Sequence, residues 1–228
     1  MNFPKIIIFT VLIIMVVGGI IYFNSQKASR TTIGGKVEVK TAVNKEEKAK
    51  RYPVAKEITT PDGFINSDGK PITIGEFTGK KVVLIDFWTY SCINCQRTTP
   101  YLNAWYEKYK DNGLVIIGVH TPEFEFEKVY QNVLEATNRT GIKYPVVLDN
   151  DYSTWNAYQN RFWPRKYLID IDGYIVYDHI GEGDYDETEK AIQKALVERT
   201  SVLGLKDSVD KNITNPVDVI ITDSSKVQ

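Results

Sequence analysis

Val82-Val83-Leu84-Ile85-Asp86-Phe87-Trp88-Thr89-Tyr90-Ser91-Cys92-Ile93-Asn94-Cys95 decides how this chain folds. Val82 to Phe87 is an apolar run of strand length, interrupted only by Asp86. From Cys95 to Lys110 the apolar residues Leu102, Trp105 and Tyr109 recur at spacings of three and four, which predicts a helix closed by Asp111-Asn112-Gly113. Cys92 and Cys95 therefore lie between a buried strand and the start of a helix. Unpaired amides and the positive end of the helix dipole stabilise a thiolate at Cys92, whereas Cys95, inside the first turn, is shielded. One cysteine is placed to attack and the other to resolve, the division of labour that thiol–disulfide exchange needs.

These are the only cysteines in 228 residues, so a disulfide-stapled scaffold is excluded and ordinary apolar packing must hold the fold. A C-x-x-C beside an α/β pattern is a redox signal. A structural disulfide across so short a loop would remove little chain entropy. A zinc site would have to recruit His120 and His179, whose separation lacks the paired spacing of structural zinc modules. No metal is therefore expected. Asp86 fits the redox reading, because desolvation in the strand would raise its pKa and let it exchange a proton with the thiols. The alternative is an acid at a frayed strand end paired with Lys80 or Lys81. His120 ends the second strand, where open α/β sheets line their ligand crevice, but a surface histidine is the simpler expectation there. Glu123, Glu125 and Glu127 read as a solvated helix start.

The elements around this stretch alternate. Leu114 to Val119 reads as a strand, Phe126 to Thr140 as a helix ending at Gly141, and Pro145 to Leu148 as a short strand. Tyr167 to Ile171 and Tyr174 to Ile180 flank Asp172-Gly173, a hairpin signal. Tyr185 to Thr200 closes the domain as a helix. The order predicts a mixed α/β sheet covered by helices, with the hairpin supplying antiparallel strands. Pro164 follows Phe162-Trp163 just before that hairpin, where an X-Pro bond can be cis.

Charge divides the chain into four segments. Residues 1–24 contain Ile6 to Phe23, 18 residues without a charge, about 27 Å long as a helix and read as an uncleaved transmembrane anchor. Residues 25–60 hold nine basic and four acidic side chains with no apolar period and read as a basic flexible linker. Within it, 45–51 could form a short exposed helix. Residues 61–200, the folded domain, carry 15 basic and 21 acidic groups. Residues 201–228 lose periodicity and read as a flexible tail, with Val217 to Ile221 a stray strand. The overall charge of −1 offers no footprint for nucleic acid, and two N-x-T sequons, at Asn138 and Asn212, carry no assigned role.

Asp86-Phe87-Trp88, Cys92 and Cys95, and a distant Pro164 before the last hairpin resemble the thioredoxin superfamily. The long separation of Cys95 from Pro164 is similar to that of TlpA-like and ResA-like membrane-anchored proteins, which carry an extra helix and strand. The wording most resembles the thioredoxin-like domain of DipZ-type proteins: Phe87 to Cys95, Gly118-Val119-His120-Thr121-Pro122-Glu123-Phe124, Tyr144-Pro145-Val146, Asp149-Asn150-Asp151-Tyr152, Trp163-Pro164 and Gly181-Glu182-Gly183. The resemblance implies a thioredoxin-like fold and no cofactor beyond a redox-active Cys92-Cys95 disulfide. It makes Cys92 the nucleophile, Cys95 the resolving thiol and Asp86 the acid serving it. It makes Trp88 the aromatic beneath the site and Pro164 a cis-proline whose preceding backbone pairs with substrate. Trp163 departs from the small or β-branched residue of plain thioredoxins and is expected to reshape the groove, with His120 a further candidate for substrate contact. DipZ-type proteins fuse this domain to an electron-conducting membrane domain, so a separate membrane donor of the CcdA type is the implied partner, alongside substrate proteins with disulfides.

The expected function is a membrane-tethered thiol–disulfide oxidoreductase, reductive by resemblance. A peroxiredoxin-like peroxidase has Thr89 three residues before Cys92, but Ile85 stands where that motif has proline. A tethered binding module with idle thiols is the non-enzymatic alternative. Lys27, Arg30, Lys36 and Lys40 follow the apolar run and only Lys5 precedes it, which by charge favours a cytoplasmic domain. The resemblance and the persistence of disulfides outside the cytoplasm favour the extracytoplasmic face of the cell membrane.

Overall fold

A computed structural model describes residues 45–216. The anchor, the linker up to residue 44 and the segment Val217 to Ile221 lie outside the described residues, and among those described no helix is long and apolar enough to cross a membrane.

The elements in chain order are α1 (Lys45–Arg51), β1 (Gly63–Ile65), β2 (Val82–Trp88), α2 (Ile93–Tyr109), β3 (Leu114–His120), α3 (Tyr130–Arg139), β4 (Val146–Leu148), α4 (Ser153–Ala157), β5 (Arg165–Ile169), β6 (Ile175–Ile180) and α5 (Tyr185–Val202). They build a six-stranded sheet in the order β1-β4-β3-β2-β5-β6. β2, β3 and β4 run parallel, while β1, β5 and β6 are antiparallel to their neighbours, so the sheet is mixed as expected. The helix–strand insertion is α3 and β4, and it places β4 between β1 and β3.

Alternation along β2 assigns its two faces. Val82, Leu84 and Trp88 join a core with Leu102, Trp105 and Tyr109 of α2 and Ile192 and Leu196 of α5. Val83, Ile85 and Phe87 join a second core with Ile72, Ile74, Trp155 and Tyr158. Both faces are sealed, which is why the run reads as continuously apolar. The second face is covered by an irregular strap and the five-residue α4 instead of long helices, and neither α4 nor the three-residue β1 has enough period to be legible. The expected helix from Phe126 is split into a 3-10 turn, Glu125–Lys128, and α3, with extended backbone at Val129 between them.

Two segments expected to be flexible are folded where they are described. The basic linker enters the domain at α1, where Lys48 is only 2% exposed and its Nζ lies 2.6 Å from Asp170, 2.7 Å from Asp172 and 2.6 Å from Glu198. Burial opposes its charge, but the three carboxylates outweigh that and hold its pKa above the ordinary value. These three acids are the one group of metal-ligating side chains found close enough together for a cation among the described residues, and the lysine ammonium sits among them. Lys48→Ala should therefore leave three gathered carboxylates without a counter-charge and cost about 3 kcal/mol. A urea midpoint within error of the parent would show that α1 contributes nothing. The tail likewise packs back: Val209 is buried in the first core, and the Thr214 amide donates to the buried Glu189 carboxylate at 2.7 Å. The patterning there is lost because one buried valine and a set of backbone contacts have no period.

Candidate active site

The carboxyl end of β2 delivers the chain to the site. The Trp88 carbonyl accepts from the Thr121 amide at 3.0 Å, the Cys92 amide closes a turn on the Thr89 carbonyl at 3.3 Å, and α2 begins. Cys92 is its N-cap residue, extended at φ −68° and ψ 116°. Its thiol is half-buried, whereas Cys95 is buried in the core beneath. The Cys95 thiol beside it lowers the Cys92 pKa to about 6; burial opposes this, and the Cys95 and Asn94 amides add to it. Burial, and then the Cys92 sulfur, push Cys95 in the opposite direction, above its ordinary value.

Asp86 lies under this pair, on the face of β2 that also carries Trp88. It is fully buried and not at a frayed end, and its strand partner across β5 is Lys166, so the alternative of pairing with Lys80 or Lys81 is corrected. Burial pushes its carboxyl up to about 7, Lys166 pulls it down, and Cys92 pushes it up. Lys166 is lowered by its own burial, against the pull of Asp86 and Cys95, and donates to the Gly181 carbonyl at 3.2 Å. Tyr144 completes the surroundings, its phenol raised by burial and by the charges of Asp86 and Cys95. Trp88 packs flat enough over β3 that a Cβ on Gly118 would come within 2.9 Å of its Nε1, so the glycine is what admits the indole.

Trp163 and Pro164 approach from the opposite side. Their peptide bond is cis, and the Trp163 carbonyl oxygen lies 3.9 Å from Cys92 Sγ. The Trp163 indole donates to the Thr121 carbonyl at 3.0 Å and packs on Trp155 with ring centroids 4.3 Å apart, so it ties the proline loop to the end of β3.

Two expectations need correction. His120 is 0% exposed and not at the surface; it stacks on Tyr90 and meets Trp88 edge-on, and burial lowers its pKa to about 4. It lies beneath the reactive surface with Trp88, the aromatic expected there. Glu127, expected in solvent, is also completely buried, with its carboxylate against Ser91. Its distance of 36 residues from Ser91 hid the contact, and no local signal marks it, since Glu123, Phe124, Glu125 and Phe126 before it are all exposed.

Residues 48–196 match the redoxin family model. The chain belongs to the redoxin family. Over 144 residues it is 52% identical to Protein DipZ of Mycobacterium bovis, an alignment covering 60% of this chain and 21% of that protein. The chain thus spans about a fifth of the length of that relative. It is 33% identical over 127 residues to the thiol-disulfide oxidoreductase ResA of Bacillus thuringiensis, covering 56% of this chain and 70% of that one. The solution structure of a thioredoxin-like protein in the oxidized form superimposes with a TM-score of 0.58 at 26% identity, covering 64% of this chain and 97% of that one. Its relatives thus include DipZ and thiol-disulfide oxidoreductases, and its fold is that of thioredoxin-like proteins.

Proposed function

We propose that this chain is a membrane-tethered reductase of protein disulfides. The reading rests above all on the opposed acidities of the two thiols over a buried Asp86: Cys92 lowered to about 6, Cys95 raised, and Asp86 at about 7. The Cys92 thiolate attacks one sulfur of a substrate disulfide, forming a mixed disulfide and releasing the other sulfur as a thiolate that takes up a proton. Cys95 gives its proton to Asp86 and attacks Cys92, which expels the second substrate thiolate. The substrate gains two electrons and two protons, and the 92–95 pair is left as a disulfide. A membrane donor of the CcdA type then returns it to the dithiol. The Trp163 carbonyl beside Cys92 is an acceptor for an extended substrate segment.

The peroxidase reading is less well supported. Thr89, which would have to face a bound peroxide, is buried with its hydroxyl oxygen 3.4 Å from His120 Nε2.

Cys95→Ser is expected to accumulate mixed disulfides on Cys92 in intact cells, because the resolving sulfur is gone while the attacking one remains. Non-reducing gels of acid-quenched cells would show them as dithiothreitol-sensitive adducts; their absence would remove the exchange mechanism. Placement of the domain outside the cytoplasm rests on the apolar run Ile6 to Phe23 and the DipZ resemblance. After mild reduction, a membrane-impermeant maleimide should label Cys92 before lysis, and labelling only after lysis would reverse that placement.

A further inference from the structure

Glu127 is a buried acid that the exchange chemistry leaves unused. It is 0% exposed, while its neighbours Glu123 and Glu125 are in solvent. One carboxylate oxygen accepts from the Ser91 hydroxyl at 2.6 Å and the Ser91 amide at 3.3 Å. The other accepts from the Glu123 amide at 2.6 Å and the Phe124 amide at 3.0 Å. Burial alone would raise its pKa, but hydrogen bonds led by that of the Ser91 hydroxyl outweigh it, so the group is held ionised. A carboxylate that receives four donors is a rigid node, since each charge-assisted bond is about twice as strong as a neutral one.

The node joins two segments. Ser91 is the residue before Cys92, and its amide and hydroxyl both end on Glu127. The other two bonds hold the start of the 123–128 loop, which presents the stacked, exposed rings of Phe124 and Phe126. A parallel tie runs from the Tyr90 hydroxyl to the Phe126 carbonyl at 3.3 Å. Of the ties from the turn at 89–92 to residues outside its own helix, the pair of bonds from Ser91 to Glu127 is the one that ends on a carboxylate.

We propose that Glu127 is a positioning residue for the nucleophile: through Ser91 it holds Cys92 Sγ against the first amides of α2, and it couples that alignment to the Phe124–Phe126 loop. The proposal rests on Cys92 being the attacking sulfur, and it concerns a residue that touches neither substrate nor sulfur. Its consequence has an unusual sign. The groups that face Cys92 are the Cys95 thiol from α2 and the acids Asp86 from β2 and Glu123 from the loop, and the two acids carry the sign that opposes a thiolate. Removing the negative charge of Glu127, or freeing Glu123 to move away, would by Coulomb's law make Cys92 more acidic. Loss of alignment with the Asn94 and Cys95 amides would make it less acidic.

The test uses the full reduced chain in detergent, with the Cys92 thiolate followed by its ultraviolet absorbance and by the rate of iodoacetamide alkylation against pH. Glu127→Gln keeps the size of the side chain and removes its charge. Its alkylation midpoint should move upward by about one pH unit, making the reaction at pH 6 about fivefold slower. Ser91→Ala, at an exposed position that tolerates alanine, should move it in the same direction by less. A midpoint that is unchanged or lower in folded Glu127→Gln overturns the proposal. If that variant does not fold, an unmoved midpoint in Ser91→Ala overturns it instead. Alkylation needs no protein substrate, so a normal shift here with no mixed disulfides in cells would sink the proposed reductase function and leave the positioning role standing.

Discussion

Cys92→Ser is expected to slow disulfide exchange by at least about a thousandfold, because a hydroxyl is not ionised at neutral pH and a thiolate is the attacking species. With a pKa of about 6, Cys92 is roughly nine-tenths thiolate at pH 7. Cys95 cannot substitute, since burial raises its pKa and removes it from the surface. Dithiothreitol-driven reduction of insulin, read by turbidity, measures the loss; a variant that keeps a tenth of the parent rate would place the nucleophile elsewhere. The parent rate should climb as pH rises through about 6 and then level off. The same depressed pKa has a consequence for stability. Its contribution to the reduced fold is fully present above the ordinary thiol value of 9.0 and is lost as pH falls through about 6.

Asp86→Asn should separate stability from catalysis. The folded carboxyl sits at about 7 against an ordinary 3.8, a raised value, so its contribution is fully present below about 3.8 and lost as pH rises through about 7. Between pH 4 and pH 8 the parent should therefore lose up to about 4 kcal/mol of stability relative to Asp86→Asn, against the gains that Cys92 and His120 bring to both proteins over that range. Comparing the two pH values within each protein removes the constant effect of leaving Lys166 without its strand partner. Resolution of the mixed disulfide should slow by about a hundredfold, the usual contribution of a positioned base. Urea midpoints at the two pH values and single-turnover release of a fluorescent thiol from Cys92 check the two halves. Parallel pH profiles for parent and variant would mean that Asp86 does not titrate in the fold, and unchanged release would remove it from the mechanism.

Much of the architecture was legible because it is written in contiguous or periodic residues. The run Val82 to Phe87, the helix signal after Cys95, the hairpin around Asp172-Gly173 and the long gap to Pro164 all correspond to observed elements. What was missed lies where a single residue makes a distant contact. Lys48 in a basic stretch and Glu127 in an acidic one each look like solvated charge, and each is buried because its partners come from elsewhere in the chain. His120 looked like a surface residue at a strand end because nothing local shows that Tyr90 and Trp88 close over it.

The sequence by itself determined which atoms are the candidates for the proposed chemistry: two sulfurs at the start of a helix that follows a buried strand, an arrangement set by residues 82 to 95 alone. Only the tertiary structure decided how acidic those atoms are. The pKa of Asp86 depends on its complete desolvation and on Lys166, 80 residues away across the sheet, and the bearing of Cys92 depends on Glu127 through Ser91 and on Trp163 from the cis-proline loop. Reactivity here is set by solvent exclusion and by charges a few ångströms off, and both exist only once distant segments have packed together.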